Sequence, residues 1–322
     1  MIKDTLTFNA SGLNVFIDSG IHGNESSAVN SLYMAYLKIK DPTYKAPEWI
    51  KSISFCIGVN EAGLAADQRE WADFRSNSDD LNRMFPPSFL SKEEIKTLIS
   101  SEVAKADVII DIHNSEICKP CALVDNDINA VYLSYVMRKT FITPMIRDGN
   151  SLAGTIKGYV NNGFPNKIGI TVELPGMGFN KNTSTENDVA LILDLLENLD
   201  IPLVSRSDFN KKLYSGSLGM RIPNIQEHLP IELTPPTSGL IKNLDMTKVT
   251  TFDPVKGLYK KGDLICTILD FSNGIEFPIY APFNGYLFDL QGTYYAVKGR
   301  SIGSFARNVQ EAWATVENEI IR

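Results

Sequence analysis

The feature that most constrains the fold of this chain is an apolar run that ends in a glycine turn. Val15-Phe16-Ile17 is followed by the stretch GIHGNE at positions 20–25, and a helical pattern runs from Ser26 to Lys40. This order predicts a strand that delivers His22 at its carboxyl end and a helix that begins next to Glu25. Both side chains can then reach one point at the edge of a sheet.

A second buried strand pattern, Val108 to His113, also ends in a histidine, and the chain has only three: His22, His113 and His228. A lone His-x-x-Glu pattern is frequent by chance. In open α/β sheets, however, ligands gather at the carboxyl ends of strands near a switch in strand order, so we expect His22 and His113 to converge. Two imidazoles and the Glu25 carboxylate are ligands that suit one Zn²⁺ ion and leave a position open for water.

Alternating apolar runs and helical patterns in the first 200 of the 322 residues predict the fold class. They indicate an α/β fold with a mostly parallel or mixed sheet covered by helices. The predicted strands are Asn14–Ser19, Ser52–Val59, Val108–His113, Pro144–Arg147 and Ile168–Glu173, and the predicted helices are Ser26–Lys40, Lys92–Lys105, Ile128–Lys139 and Ser184–Leu199. We therefore predict a catalytic domain over 1–200.

The composition of the sequence changes near Ile201, where prolines become frequent. Beyond them lie short β-type runs with glycine turns, at Gly257–Leu269, Glu276–Ala281, Gly285–Leu290 and Tyr294–Phe305. This pattern predicts a smaller all-β domain over 201–322, with a linker before it and a terminal helix from Asn308 to Ile320.

Charge and hydropathy limit the classes of molecule that this chain is expected to bind. The formal net charge of −7 disfavours a nucleic-acid or anionic-membrane surface, since such surfaces need clustered Lys and Arg. The N-terminus lacks a signal-peptide core, and no apolar run reaches the roughly 20 residues of a membrane span. We expect a cytoplasmic protein with a small-molecule partner, while the sequence leaves the oligomeric state open, a homo-oligomer included.

Four cysteines are too few for a disulfide framework in a chain of this size. Cys118 and Cys121 form one Cys-x-x-Cys pair close to His113, which is compatible with a metal or redox role. A redox pair should open a helix, whereas the apolar run Ala122-Leu123-Val124 follows here. The simpler interpretation is two ordinary cysteines.

Polar residues that suit catalysis follow in two further places. A long segment, 60–88, carries Arg75 and the stretch DLNRMF at 80–85, and arginine can clamp a carboxylate or stabilise an oxyanion. Glu173 ends the apolar strand pattern Ile168 to Val172, just before Pro175-Gly176. The alternatives are a solvated arginine and a charge at a sheet edge, but beside a metal ion these residue types fit a hydrolytic site.

Taken in order, these motifs resemble the succinylglutamate desuccinylase and aspartoacylase family, which belongs to the zinc carboxypeptidase fold group. The resemblance is carried by GIHGNE (20–25), DLNRMF (80–85), DIHNS (111–115) and VEL (172–174). The interval of 91 residues between His22 and His113 also resembles this family. The resemblance spans residues 20–176 and implies a zinc hydrolase.

The resemblance also implies a role for each site residue. His22, Glu25 and His113 would hold Zn²⁺, and Asp111 would orient a ligand from behind. The implied general base is Glu173, which would move a proton from water to the leaving amine. The remaining implied roles are carbonyl polarisation by Arg75, carboxylate binding by Asn82 and Arg83, and closure of the site by a tyrosine of the C-terminal domain, with Tyr295 the candidate beside Tyr294.

One departure from the family pattern concerns a further arginine shortly before the catalytic glutamate. The corresponding region, 162–167, offers only Lys167, which puts recognition of a second carboxylate in doubt. We therefore expect zinc-dependent hydrolysis of the amide bond of an N-acyl amino acid or a similar small carboxylate. A metallocarboxypeptidase acting on a peptide or peptidoglycan fragment is the alternative, and a catalytically silent binding protein is a third hypothesis.

Overall fold

The main sheet has seven strands, in the spatial order β1-β3-β2-β4-β7-β5-β6. The computed structural model describes residues 1–70, 80–83, 85, 93–114, 120–125, 143–147, 154–164, 167–175, 181–199, 231–250, 255–290 and 295–307. The strands of this sheet are β1 (Ile2–Thr7), β2 (Leu13–Ser19), β3 (Ile50–Ile57), β4 (Val108–Asn114), β5 (Cys121–Asp125), β6 (Thr143–Arg147) and β7 (Ile168–Leu174).

Both faces of this sheet are covered by helices. The helices of the described residues are α1 (Ser26–Lys40), α2 (Glu61–Ala66), α3 (Glu93–Lys105), α4 (Ile156–Gly163), α5 (Lys181–Asn198) and, farther along, α6 (Met246–Thr250). One core packs α1 and α5 against alternate residues of the central strands, such as Ile17 and Ile110. A second core packs α3 and α4 against their neighbours Phe16 and Ile109. Because both faces are covered, every residue of β4 is buried.

The strand order reverses at β2. From β2 the chain passes to β3 on one side and then returns to β4 on the other, and β2 is parallel to both neighbours. The loops that follow the carboxyl ends of β2 and β4 therefore lie on opposite sides of one crevice. Such a crevice is the usual place for a ligand in an open α/β sheet. β7 continues in parallel beside β4. β1 runs antiparallel to β3, and β5 runs antiparallel to β7 but parallel to β6.

The C-terminal part consists of antiparallel sheets with a core of their own. One sheet has the order β11-β10-β9-β13 and the other β12-β14-β8. Their strands are β8 (Ile231–Glu232), β9 (Gly239–Lys242), β10 (Leu264–Leu269), β11 (Glu276–Tyr280), β12 (Gly285–Leu290), β13 (Tyr295–Ala296) and β14 (Gly303–Arg307). Ala306 of β14 packs on Cys121 and Leu123 of β5, so this part contacts the main sheet.

The predicted α/β class with a β-rich C-terminal part is confirmed. The five predicted strands and the helices α1, α3 and α5 are present within a few residues of their predicted ends. The predicted helix at 128–139, the terminal helix and the boundary near residue 201 lie outside the described residues, so the division into two domains stays a prediction. None of the described helices combines the length and apolar character needed to cross a bilayer.

A buried carboxyl group between α1 and α5 should make stability depend on pH. Asp188 is fully buried; Ser31 donates a hydrogen bond of 3.2 Å to its Oδ2. Burial raises the pKa of Asp188 to about 7 despite that hydrogen bond. A group whose pKa is higher in the folded chain stabilises the fold below about pH 4, and this contribution is lost as the pH rises to about 7.

We therefore expect Asp188→Asn to be more stable than wild type at pH 8, with the difference vanishing toward pH 4. The gain should be a few kcal/mol, since one unit of pKa is worth about 1.4 kcal/mol. Urea unfolding of both proteins across this pH range measures it. Asp194→Asn, on the exposed side of the same helix, is the matched control, and an equal gain at pH 5 and pH 8 would contradict the prediction.

Candidate metal centre

The end of β2 places His22 in a tight turn that only glycine allows. Gly20 has a φ of +73°, where a side chain would be strained. At Gly23 a Cβ atom would lie 2.0 Å from the carbonyl carbon of Gly63, in α2. The N–H of Gly23 donates to the carbonyl oxygen of Arg69 at 3.3 Å, so this turn also fixes the chain that follows α2.

His22, Glu25 and His113 converge on one buried point. His22 Nδ1 and Glu25 Oε1 are 2.7 Å apart, and His113 Nδ1 and Glu25 Oε2 are 2.8 Å apart. The two Nδ1 atoms lie 3.1 Å from each other. The convergence predicted from the two strand ends is therefore confirmed, although the residues are 91 positions apart in the chain.

These separations fit one divalent metal ion. With bonds of 2.0–2.2 Å, two ligand atoms of tetrahedral zinc are about 3.3–3.6 Å apart, so separation of the three side chains by less than about 1 Å admits the ion. Among the described residues, His22, Glu25 and His113 form a group that could hold a metal ion, because their ligand atoms all lie within 4.8 Å of one another. All three side chains are buried, which suits a site that holds its ion tightly.

Each histidine is oriented from behind by a carboxylate. His113 Nε2 is 2.9 Å from Asp111 Oδ2, and His22 Nε2 is 3.1 Å from Asp80 Oδ1. A proton on each Nε2 leaves both Nδ1 atoms free to bind the metal, which is the usual carboxylate–histidine–metal arrangement. The position predicted for Asp111 agrees with this geometry, while Asp80 is a partner that the sequence reasoning did not assign.

Electrostatics at the centre favour a bound cation. Burial raises the pKa of Glu25, but the charge of His113 and hydrogen bonds from both histidines outweigh it and bring the pKa to about 2. For His113, burial lowers the pKa, yet the carboxylates of Asp111 and Glu25 together raise it well above the usual value. The carboxylates that stabilise a proton on His113 would equally stabilise a divalent ion between His113 and Glu25.

Glu173 lies beside His113 on the neighbouring strand. The two residues are direct register partners in the parallel pair β4–β7, so their side chains leave the same face of the sheet. Glu173 is half-buried, and its strand neighbours Val172 and Leu174 are buried. The role of Glu173 as general base stays a prediction, which this position on the strand beside His113 supports.

Arg69 is a residue of the site that sequence reasoning missed. Its guanidinium lies 3.2 Å from Asp80 Oδ2 and 3.7 Å from Glu25 Oε1, and its side chain is 40% exposed. Arg75, which the sequence suggested for this place, lies outside the described residues. The signal for Arg69 would have been its position three residues after α2, a helix that the sequence pattern did not reveal.

Asn82 and Arg83 occupy the short 3-10 turn Leu81–Arg83. Asn82 is buried and donates to Asp111 Oδ2 at 3.2 Å, while its Oδ1 accepts from the N–H of Ile156 at 2.9 Å. The amide is therefore engaged by the protein itself. Arg83 is exposed, and its Nη1 donates to the carbonyl oxygen of Asn82 at 2.8 Å.

Four further residues that the sequence analysis considered are two tyrosines of the C-terminal part and the two cysteines of the Cys-x-x-Cys pair. Tyr295 is exposed and stacks on Phe271 with ring centroids 6.3 Å apart; its role in closing the site stays a prediction, and Tyr294 lies outside the described residues. Cys121 is buried in β5, and Cys118 lies outside the described residues.

Comparison with known proteins shows which solved structures share this fold. A search of curated protein sequences finds no match. Solved structures share the fold: an aspartoacylase family protein from Mesorhizobium loti has a TM-score of 0.66 at 16% identity, and a succinylglutamate desuccinylase/aspartoacylase from Rhodobacter sphaeroides has 0.65 at 14%. An ectoine utilization protein from Ruegeria pomeroyi, with product bound, has 0.60 at 16%. Each match covers 95% of this chain and 88% of the other.

A sequence model of a protein family identifies the family of this chain. The model of the succinylglutamate desuccinylase/aspartoacylase catalytic domain matches residues 11–199, which is more than half of the chain. The matched segment contains His22, Glu25, His113 and Glu173, together with the strands that position them. The chain therefore belongs to the succinylglutamate desuccinylase/aspartoacylase family.

Proposed function

We propose that this protein is a zinc-dependent amidohydrolase that removes the acyl group from an N-acylated amino acid or a similar small carboxylate. The observation that carries the proposal is the buried His22–Glu25–His113 group with Glu173 as the register partner of His113. A silent binding protein would be expected to lack a ligand or the base, and this chain has kept all four residues.

The ligand set fits zinc in chemistry as well as in spacing. Two neutral imidazoles and one carboxylate are the protein ligands of many catalytic zinc sites, where a fourth position stays open. Bound zinc would supply Lewis acidity, which lowers the pKa of a bound water toward about 7 and polarises a carbonyl. Asp80 and Asp111 would keep the two Nδ1 atoms aimed at that ion.

Glu173 would perform the proton transfers. As a carboxylate beside the centre it takes a proton from the attacking water and returns it to the leaving amine. The Arg69 guanidinium, held by Asp80 at the rim of the centre, would stabilise the negative charge that develops on the carbonyl oxygen. This assigns to Arg69 the role that the sequence suggested for Arg75.

The substrate carboxylate would be bound mainly by Arg83. Its exposed guanidinium can form the bidentate pair that arginine makes with carboxylates, whereas the Asn82 amide is already bonded to Asp111 and Ile156. One local arginine of this kind explains how a chain with a net charge of −7 would bind an acidic substrate.

The proposal is tested with zinc-loaded protein on a panel of N-acetyl and N-succinyl amino acids beside short peptides, with release of free amine as the readout. We expect turnover of N-acyl amino acids. Turnover of peptides alone would favour the metallocarboxypeptidase, and zinc-loaded protein that turns over neither class would contradict the amidohydrolase proposal.

Within that assay, Arg69→Ala should lower kcat about a hundred- to a thousand-fold, the cost of losing one oxyanion donor, while zinc stays bound. Metal analysis of the variant checks the second point. Arg75→Ala is the matched comparison, because it removes the other arginine of the same loop. A larger loss in Arg75→Ala than in Arg69→Ala would return the role to Arg75.

A further inference from the structure

Behind the metal centre, two aspartates face each other inside the sheet. Asp18 of β2 and Asp111 of β4 are direct register partners, and both are fully buried. Asp111 contacts residues of the centre through its Oδ2 atom. This oxygen lies 2.9 Å from His113 Nε2 and accepts a hydrogen bond from Asn82 at 3.2 Å. The mechanism described above uses Asp111 and gives no role to Asp18.

Three oxygens of this pair lack a donor. Both oxygens of Asp18 and Oδ1 of Asp111 are buried and accept no hydrogen bond from an N–H or O–H group of the described residues. Two ionised carboxylates in that position would repel each other in a medium that screens charge poorly, and each would keep unsatisfied oxygens. A single proton between them satisfies an oxygen on each side and removes one of the two charges.

The proton belongs on Asp18 because, among the described residues, the side-chain donors that favour a charged carboxylate contact Asp111. Asp111 Oδ2 faces the His113 imidazole and the Asn82 amide, and both stabilise a carboxylate. Among the described residues, Asp18 has neither contact. Burial and the charge of Asp111 raise its pKa well above the usual value, although the charge of His113 lowers it.

From this geometry we infer that Asp18 is a positioning residue of the metal centre, a carboxylic acid that donates its proton to Asp111 and thereby fixes the carboxylate that orients His113. Asp111 then has a donor on each oxygen and cannot rotate without breaking one of them. His113 Nδ1 stays aimed at Glu25. Because Asp18 is neutral, it adds this rigidity without adding charge to the centre. The inference rests on the proposed zinc function.

Two substitutions of Asp18 distinguish a role as a neutral hydrogen-bond donor from a role as a charged group. Asp18→Asn keeps a donor and cannot ionise, so zinc affinity, measured by competition with a chelator, should stay within about threefold of wild type. Asp18→Val removes the donor and should weaken zinc binding about ten- to a hundred-fold, the usual cost of losing an outer-shell partner. The absorption spectrum of the cobalt-substituted protein should change in Asp18→Val and stay unchanged in Asp18→Asn.

Ser19→Ala is the matched control, since Ser19 is the next residue of β2, equally buried, with a hydroxyl that has no partner among the described residues. It should bind zinc as wild type does. Zinc binding by Asp18→Val as tight as wild type, or loss of binding in Asp18→Asn, would overturn the inference.

A second measurement decides the matter even if Asp18→Val does not fold. Infrared difference spectra between wild type and Asp18→Asn at pH 8, with ¹³C-labelled aspartate, should show the C=O band of a protonated carboxylic acid in wild type. Absence of that band overturns the inference whatever the metal result. If wild type shows the band but binds no zinc, the proposed function fails and the protonated pair stands.

Discussion

Replacing Glu173 by glutamine is expected to leave one zinc ion bound and to lower kcat about a hundred- to ten-thousand-fold, the range of general acid–base catalysis. Glutamine has nearly the same shape but cannot take a proton from water. Glu173 is not a member of the buried His22–Glu25–His113 group, so the metal should be unaffected. Steady-state kinetics and metal analysis on the same preparation measure both effects.

Glu186→Gln is the control for this experiment, because Glu186 is an exposed glutamate on α5. It should retain full activity. A Glu173→Gln protein with a near-normal rate would remove Glu173 from the role of base. A protein that loses both zinc and activity would instead assign Glu173 to metal binding.

The second large effect concerns His113. We expect His113→Ala to lose zinc and nearly all activity, because a single imidazole and one carboxylate would remain of the three ligands. The substitution also leaves the Asp111 carboxylate buried without its imidazole, which should destabilise the fold by a few kcal/mol. Zinc affinity from chelator competition and urea unfolding in the presence of a chelator separate these two effects.

His228→Ala removes the third histidine of the chain and is the control; it should keep both zinc and activity. A His113→Ala protein that binds zinc as tightly as wild type would show that the ion is held elsewhere.

The convergence of His22 and His113 could be predicted from two buried strand patterns that each lead to a histidine. Both histidines follow strongly apolar runs, and a buried parallel sheet brings the ends of such strands together wherever they are neighbours. The pattern could not show that β2 and β4 are adjacent, but the scarcity of histidine made that arrangement the simplest one. The structure places them side by side.

Residues on the intervening loop were harder to predict. Arg69 reaches Glu25 and Asp80 because α2 ends in a left-handed residue, Asp67, with φ of +52°, and the chain then turns back toward Gly23. Neither that short helix nor the turn has a strong periodic signal, so the sequence did not indicate a role for Arg69.

Strand β1 was missed for a different reason. Its sequence, IKDTLT, alternates but is largely polar, and most of its residues are exposed or half-buried. It pairs at the edge of the sheet, antiparallel to β3, where burial is one-sided and the apolar signal is weak. Asp18 was overlooked because a single acidic residue in an apolar strand gives no hint of the partner that lies across the sheet.

The central claim is that His22, Glu25 and His113 bind one zinc ion. Anomalous X-ray scattering at the zinc edge, from crystals of the protein grown with one equivalent of zinc, tests it most directly. The account predicts a single peak between the Nδ1 atoms of the two histidines and the Glu25 carboxylate, at zinc–ligand distances of about 2.0–2.2 Å. A peak elsewhere in the molecule, or no peak between these three side chains, would contradict it.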